Sequence, residues 1–273
     1  MKIFKTFEIL KKLDICIRNR KPFSVIRFGD GGIKLIDAIL YNDIEQINTI
    51  IRKEGLSAVE LINIFELWGY YARRADFIDS PEIYFNGKFW PRMRSEEKRI
   101  KSRTENKLKN WQSLYYSAEF DNNYYCNPEL NYLMITRIKE QNNLLDAMKN
   151  RKICIITTFP EVREKLINYN IDSLKIVGQY QDQYNNSYKY ITEKIKTESN
   201  KYDIWLVAAG ELGRIYSGMI KEYGGRAVDI GFVIEFWLGK DIHPRLHPFL
   251  SRNENNPLEL VLTKKGREYE EFI

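Results

Sequence analysis

Residues Tyr202–Lys240, YDIWLVAAGELGRIYSGMIKEYGGRAVDIGFVIEFWLGK, decide the fold. The apolar run IWLVAA stops at Gly210, apolar residues then recur at three- and four-residue spacing as far as Gly224-Gly225, and a second short apolar run ends at Asp229-Ile230-Gly231. Unbroken apolar runs of this length suit strands covered on both faces, while the spacing between them suits an amphipathic helix stopped by glycine. The unit is strand, glycine turn, helix, strand and carboxylate-glycine turn.

The same pattern extends upstream. Strands are expected at 152–157 (KICIIT), 173–177, 203–208 and 226–230, separated by helices at 161–168, 187–198 and 212–223. Such alternation implies parallel strands joined by right-handed crossovers, with ligands outside their carboxyl ends. The expected class is α/β, a Rossmann-like mostly parallel sheet flanked by helices.

Near the amino terminus, Pro22–Gly32 reads PFSVIRFGDGG. A strand over 23–28 breaks on Gly29-Asp30-Gly31-Gly32, and a helical pattern follows over 33–41. Asp30, on a glycine turn at a strand end, can meet a metal ion or a nucleotide; Asp and Gly are also ordinary turn formers, and a structural turn alone produces GDGG. Asp229 stands at a strand end in the same way, so two such turns in one sheet can face one ligand.

Ahead of this unit, 1–20 reads as an amphipathic helix with Ile3, Phe4, Phe7, Leu10 and Leu13 inward. From 43 to about 150 the pattern is mostly helical, except that 77–131 mixes prolines, aromatics and charge without a sustained period. A mostly helical basic insertion at about 43–150 is expected, its part at 77–131 an irregular insertion or lobe over the sheet edge, within a single domain spanning 1–273.

At 273 residues and 44% apolar, the chain can bury a large core. No apolar run reaches the roughly 18 residues of a membrane span, and 1–20 carries too many lysines and acids for a secretory signal. A cytoplasmic protein is expected, with peripheral contact at the inner face of the membrane as a further expectation. Cys16, Cys126 and Cys154 are far apart in apolar or aromatic surroundings, which suits reduced core thiols. His243 and His247 lie four apart in HPRLHP, but Pro244 and Pro248 make this a loop rather than a metal-binding helix.

Net charge is +6, and Lys88–Lys109 carries nine basic residues against three acids, between Trp90 and Trp111. Such a stretch suits the phosphates of a nucleotide, a lipid-linked acceptor at a membrane surface, or nucleic acid; it also suits a solvated helix face that binds nothing.

The segments SVIRFGDGG, IVGQYQDQYNNSYKYI and IWLVAAGELGRIYSGMIKEYGGRAVDIGFVIEFWLG together resemble the bacterial GT-D-type glycosyltransferases, whose pattern runs from an RFGDGE motif to a final AxDIG segment. The resemblance covers roughly 23–39 and 152–240. It implies a Rossmann-like fold that transfers a sugar, most simply a hexose from a UDP-sugar, to a glycan, glycoprotein or lipid-linked acceptor. It also implies a divalent cation, Mn2+ or Mg2+, bound at the Asp-x-Glu signature beside the donor diphosphate.

Carried over residue by residue, Arg27, Gly29, Asp30 and Gly31 match the signature, with Asp30 as the metal ligand. Gly210, Gly213, Asp229 and Gly231 match the later turns. Gly32 stands where the family has Glu. A carboxylate pair holds a hard cation better than one carboxylate, so either Asp30 and the nucleotide hold the metal, or Glu211, Asp229 or Glu235 substitutes, or activity is impaired.

Glycosyl transfer makes definite demands on these residues. The departing diphosphate needs positive charge from a cation, from Arg27 or Arg214, or from the amides at the Gly210–Gly213 helix start. Close helix–strand packing explains Gly210 and Gly213 equally well. The acceptor hydroxyl needs a base, for which Asp229 and Glu235 are the candidates. Tyr180 and Asp182, in a polar loop, are expected to touch the ligand, whereas Tyr188 and Trp237 sit in apolar-periodic segments that favour packing. From another class, a non-catalytic nucleotide- or nucleic-acid-binding module with a degenerate transferase site is the alternative.

Overall fold

The structure, a computed structural model, describes residues 3–4, 6–27, 38, 42–79, 124–126, 144–177, 183–238, 250–252 and 260–262. Of the expectations above, those on Gly29, Asp30, Gly31, Gly32, Tyr180, Asp182, both histidines, the basic stretch 88–109 and most of the helix at 33–41 lie outside the described residues.

In chain order the main elements are β1 (Ile3–Phe4), α1 (Thr6–Arg18), β2 (Phe23–Ile26), α2 (Ile44–Glu54), α3 (Ala58–Arg74), β3 (Phe77–Asp79) and β4 (Tyr124–Cys126). There follow β5 (Lys152–Thr157), α4 (Val162–Lys165), β6 (Asn170–Lys175), α5 (Lys189–Glu198), β7 (Ile204–Ala208), α6 (Gly213–Glu222), β8 (Arg226–Asp229) and α7 (Val233–Trp237). β9 (Leu250–Arg252) and β10 (Leu260–Leu262) form a separate antiparallel pair.

The main sheet has eight strands in the order β1-β4-β3-β2-β8-β7-β5-β6, and each pairing in it is parallel. Helices cover both faces. One layer buries Phe23, Val25, Ile153, Ile155, Leu206 and Val228 against α1, α4 and α7; the other buries Ile26, Cys154, Ile156, Trp205 and Ala227 against α3, α5 and α6. Adjacent positions of one strand thus serve opposite cores, which is why the strands read as continuous apolar runs. The α/β reading of the sequence holds, with a sheet that is parallel throughout.

Local chemistry sets the helix that matters most for the site. Ser57 and Glu60 form a capping box, with Ser57 Oγ accepting from the Glu60 amide at 3.2 Å and Glu60 Oε2 accepting from the Ser57 amide at 2.7 Å. From this start α3 buries Leu61, Ile64, Trp68, Tyr71 and Ala72. Trp68 and Tyr71 both reach α6 or its leading turn.

Two expectations are corrected. The stretch read as an insertion over the sheet edge contributes β3 and β4 to the sheet itself, paired on β2 and on each other. Strands of three residues are too short to show a period, so the sequence hid them. The amino-terminal helix begins only at Thr6, because Ile3–Phe4 pair with Tyr125 and Cys126 at the sheet edge.

Cys154 is fully buried, which pushes its thiol well above the ordinary range, and it is unpaired, as is Cys16. The thiolate is the reactive form. We expect Cys154 to resist alkylation at pH 8 in the native protein and to react on unfolding, read by peptide mass spectrometry; rapid native labelling would contradict its burial. Among the described residues no helix is long and apolar enough to cross a membrane.

Candidate functional site

The carboxyl ends of β2, β8 and β7 lie side by side at the centre of the sheet, the place where a parallel sheet presents ligands. Arg27 follows β2 directly and turns onto the end of β8. Its Nη2 donates to Asp229 Oδ1 at 3.2 Å and its Nε to the Asp229 carbonyl at 3.2 Å. The two side chains are 14% and 6% exposed, so the pair is largely withdrawn from water.

The turns around this pair are tightly specified. Gly210 has φ +52° and Gly231 has φ +48°, left-handed conformations that favour glycine. The amides of Ile230 and Gly231 both donate to the Val207 carbonyl, at 2.9 and 3.2 Å, folding the Asp229 turn back over β7. Gly213 is helical. A Cβ there would lie 3.4 Å from Val207 Cγ1 and 3.9 Å from Asp229 Oδ2, ordinary contact distances, so the start of α6 sits directly against the strand ends with room for a methyl group.

A 3-10 turn, Gly210–Leu212, leads into α6. The first amides of a helix have no acceptor within it, which gives this turn the capacity to receive an anion. Gln183 stands beside it, its Oε1 3.9 Å from where a Gly210 Cβ would be. Gln183 precedes a π-helical turn, Tyr184–Tyr188, in which Tyr184 stacks on Tyr188 at 4.8 Å and Tyr188 faces Tyr216 at 6.0 Å. Tyr188 and Trp237 therefore pack, as their apolar-periodic setting suggested; Trp237 is fully buried.

Glu211 and Arg214 form an ion pair with each other, and the Arg214 guanidinium lies 4.3 Å from the Trp68 ring centroid. Arg214 is 6% exposed and directed toward α3. Glu235 is half-buried on α7, the short helix that follows the Gly231 turn.

The structure thus brings Arg27, Asp229, Gly210, Gly213 and Gly231 together at one set of strand ends. It adds Trp68 and Gln183, which the sequence reading missed. Trp68 carries the pattern of a core residue, and nothing local signals that its indole reaches a peptide 143 positions away.

For a divalent cation, the described part of this site offers carboxylates already engaged by arginine: Asp229 by Arg27 and Glu211 by Arg214. Among the described residues no cluster of three or more His, Cys, Asp or Glu side chains could hold a metal ion. The described donors alone do not fit a hard cation, which prefers six or more oxygens.

No curated protein matches this sequence. Solved structures do. A selenomethionine-substituted domain of unknown function 1792 aligns over 98% of this chain and 94% of its own, at 15% identity and a TM-score of 0.56. A second structure of that domain, described as having a distinct glycosyltransferase fold, aligns over the same shares at 15% identity and a TM-score of 0.54. A third, described as a new glycosyltransferase from Streptococcus sanguinis, covers 97% of this chain and 92% of its own, at 13% identity and a TM-score of 0.56. At these identities the likeness is one of fold. A model of the GT-D fold-like domain matches residues 98–237, more than half of the sequence, and the chain belongs to that family.

Proposed function

We propose that this protein is a glycosyltransferase that moves a hexose from a nucleotide sugar, a UDP-sugar in the simplest form, to a glycan, glycoprotein or lipid-linked acceptor. One observation carries the reading: a guanidinium, Arg27, aimed by a buried carboxylate, Asp229, beside the glycine turns at the carboxyl ends of β2, β8 and β7. Loss of a nucleoside diphosphate builds negative charge on its phosphates, and fixed positive charge together with preorganised amides stabilises that charge.

In this reading the diphosphate lies over Gly210 and Glu211, with Arg27 alongside. Asp229 aims Arg27, since one of its oxygens already accepts from that side chain. Glu235 is then the candidate base for the acceptor hydroxyl. Tyr180, Asp182, Gly29, Asp30 and Gly31, outside the described residues, are further candidates for donor contact on the strength of the resemblance. When bound at Asp30, Mn2+ or Mg2+ would supply further charge to the phosphates; no step here passes through it. The basic stretch 88–109 gathers the acceptor, at the cytoplasmic face of the membrane where the acceptor is lipid-linked.

The test is turnover of a panel of nucleotide sugars, with and without manganese. Hydrolysis or transfer from one donor class, competed by the matching diphosphate, is the expected result. No turnover with any donor, alongside tight salt-sensitive binding to nucleic acid, would point to the non-catalytic binding module instead.

A further inference from the structure

We infer that Trp68 and Arg214 are positioning residues for the donor, a bracket from α3 and α6 that holds the Gly210–Leu212 turn in its binding conformation; this rests on the donor reading above. The geometry converges on one peptide. Trp68 Nε1–H donates to the Glu211 carbonyl at 3.0 Å, and Arg214 Nη1 donates to the same carbonyl at 3.4 Å while also pairing with the Glu211 carboxylate. The Trp68 ring lies against the guanidinium at 4.3 Å.

Core packing alone does not require this arrangement. Trp68 is 2% and Arg214 6% exposed, and placing an indole N–H and a guanidinium at such depth is unfavourable unless both are paired. An aliphatic pair would fill the same space without needing partners. What the polar pair adds is direction. A peptide unit is planar and trans, so fixing the Glu211 carbonyl fixes the plane of the 211–212 peptide and thereby the direction of the Leu212 N–H, one of the amides that the turn presents. The residue before it, Gly210, is left-handed and glycine, the most freely rotating residue, so the turn would otherwise be loosely determined. The ion pair also commits the Glu211 carboxylate to Arg214, so that it does not repel a diphosphate resting on its own amide.

Two variants test this. Trp68→Phe keeps an aromatic ring near Arg214 while removing the N–H donor and part of the buried indole's volume, so a fall in Tm accompanies it whatever the donor effect; Arg214→Lys keeps the charge and removes the planar stack. Binding of UDP is measured by calorimetry, donor KM and kcat by turnover, and Tm by calorimetry. Loss of one net hydrogen bond from the bracket should raise the UDP Kd and the donor KM about two- to tenfold, with kcat within about twofold. A bracket that merely stabilised the fold would lower Tm and leave KM and Kd unchanged in both variants, and that result overturns the inference. If wild-type protein binds no UDP, the donor reading falls and this inference with it. If wild type binds UDP and both variants bind it equally, the inference alone falls.

Discussion

Replacing Asp229 with alanine is expected to destabilise the protein by about 3 kcal/mol, the lower end of the range for breaking a buried ion pair, and to cut turnover about a hundredfold. The lower end applies because Arg27 keeps 14% of its side chain exposed and recovers part of its hydration when the carboxylate is gone. Turnover falls because Arg27 loses its bond to Asp229 Oδ1 and keeps only the single bond from Nε to the main-chain carbonyl of that residue, which leaves the guanidinium less firmly aimed. Denaturant unfolding and donor turnover measure the two effects. Asp229→Asn keeps an acceptor for Arg27 without the charge and should lie between wild type and alanine on both scales. The double variant Arg27→Met with Asp229→Ala separates fold from function, because removing both charges should recover much of the stability while leaving turnover low. Wild-type stability in Asp229→Ala would show that the pair is not a structural element, and wild-type turnover in the double variant would remove Arg27 from the site.

The sequence disclosed the strand ends but not what meets there. β5 is legible to the residue, Lys152–Thr157, because four consecutive positions, Ile153–Ile156, face one core or the other and are apolar. β6 was read three residues late, since its early positions Asn170 and Asp172 belong to an edge strand that is only half covered. β1, β3 and β4 were invisible because two or three residues carry no period, and parallel pairing with distant strands, not local preference, makes them strands. Propensity can name a strand only where burial leaves a pattern.

The same limit applies to the site. Asp229 and Gly210 are visible as turn residues after apolar runs, yet the partner of Asp229 lies 202 positions away, beyond any spacing rule. Glycine is ambiguous in sequence, and the structure divides its roles: Gly210 and Gly231 take a left-handed backbone that favours glycine, whereas Gly213 is helical and has room for a Cβ. Arg214 shows how a cation in the right segment can face away from the expected ligand. It follows the glycine turn by one helical turn, but the indole of Trp68 and the carboxylate of Glu211 hold it on the α3 side.

That α3–α6 contact also gives the second large expected effect. A Cβ on Gly218 would fall well inside 3.0 Å of Cβ, Cγ and Cδ1 of Tyr71, the root of that side chain rather than its flexible end. No rotamer change relieves such an overlap, so Gly218→Ala must push the two helices apart. Overpacking of this kind costs about 3 kcal/mol, which for a chain of this size lowers Tm by roughly 6–12 °C. Separating the helices also strains the hydrogen bonds that the Tyr71 hydroxyl gives to Glu222 at 3.1 Å and that Trp68 gives to Glu211 at 3.0 Å. The variant should therefore raise donor KM in the same direction as Trp68→Phe, although it touches neither the indole nor the turn. Calorimetry and donor kinetics on Gly218→Ala decide the matter. A Tm within about 2 °C of wild type would show that the helices tolerate the added methyl, while a large fall in Tm with unchanged KM would mean that helix spacing and turn geometry are independent.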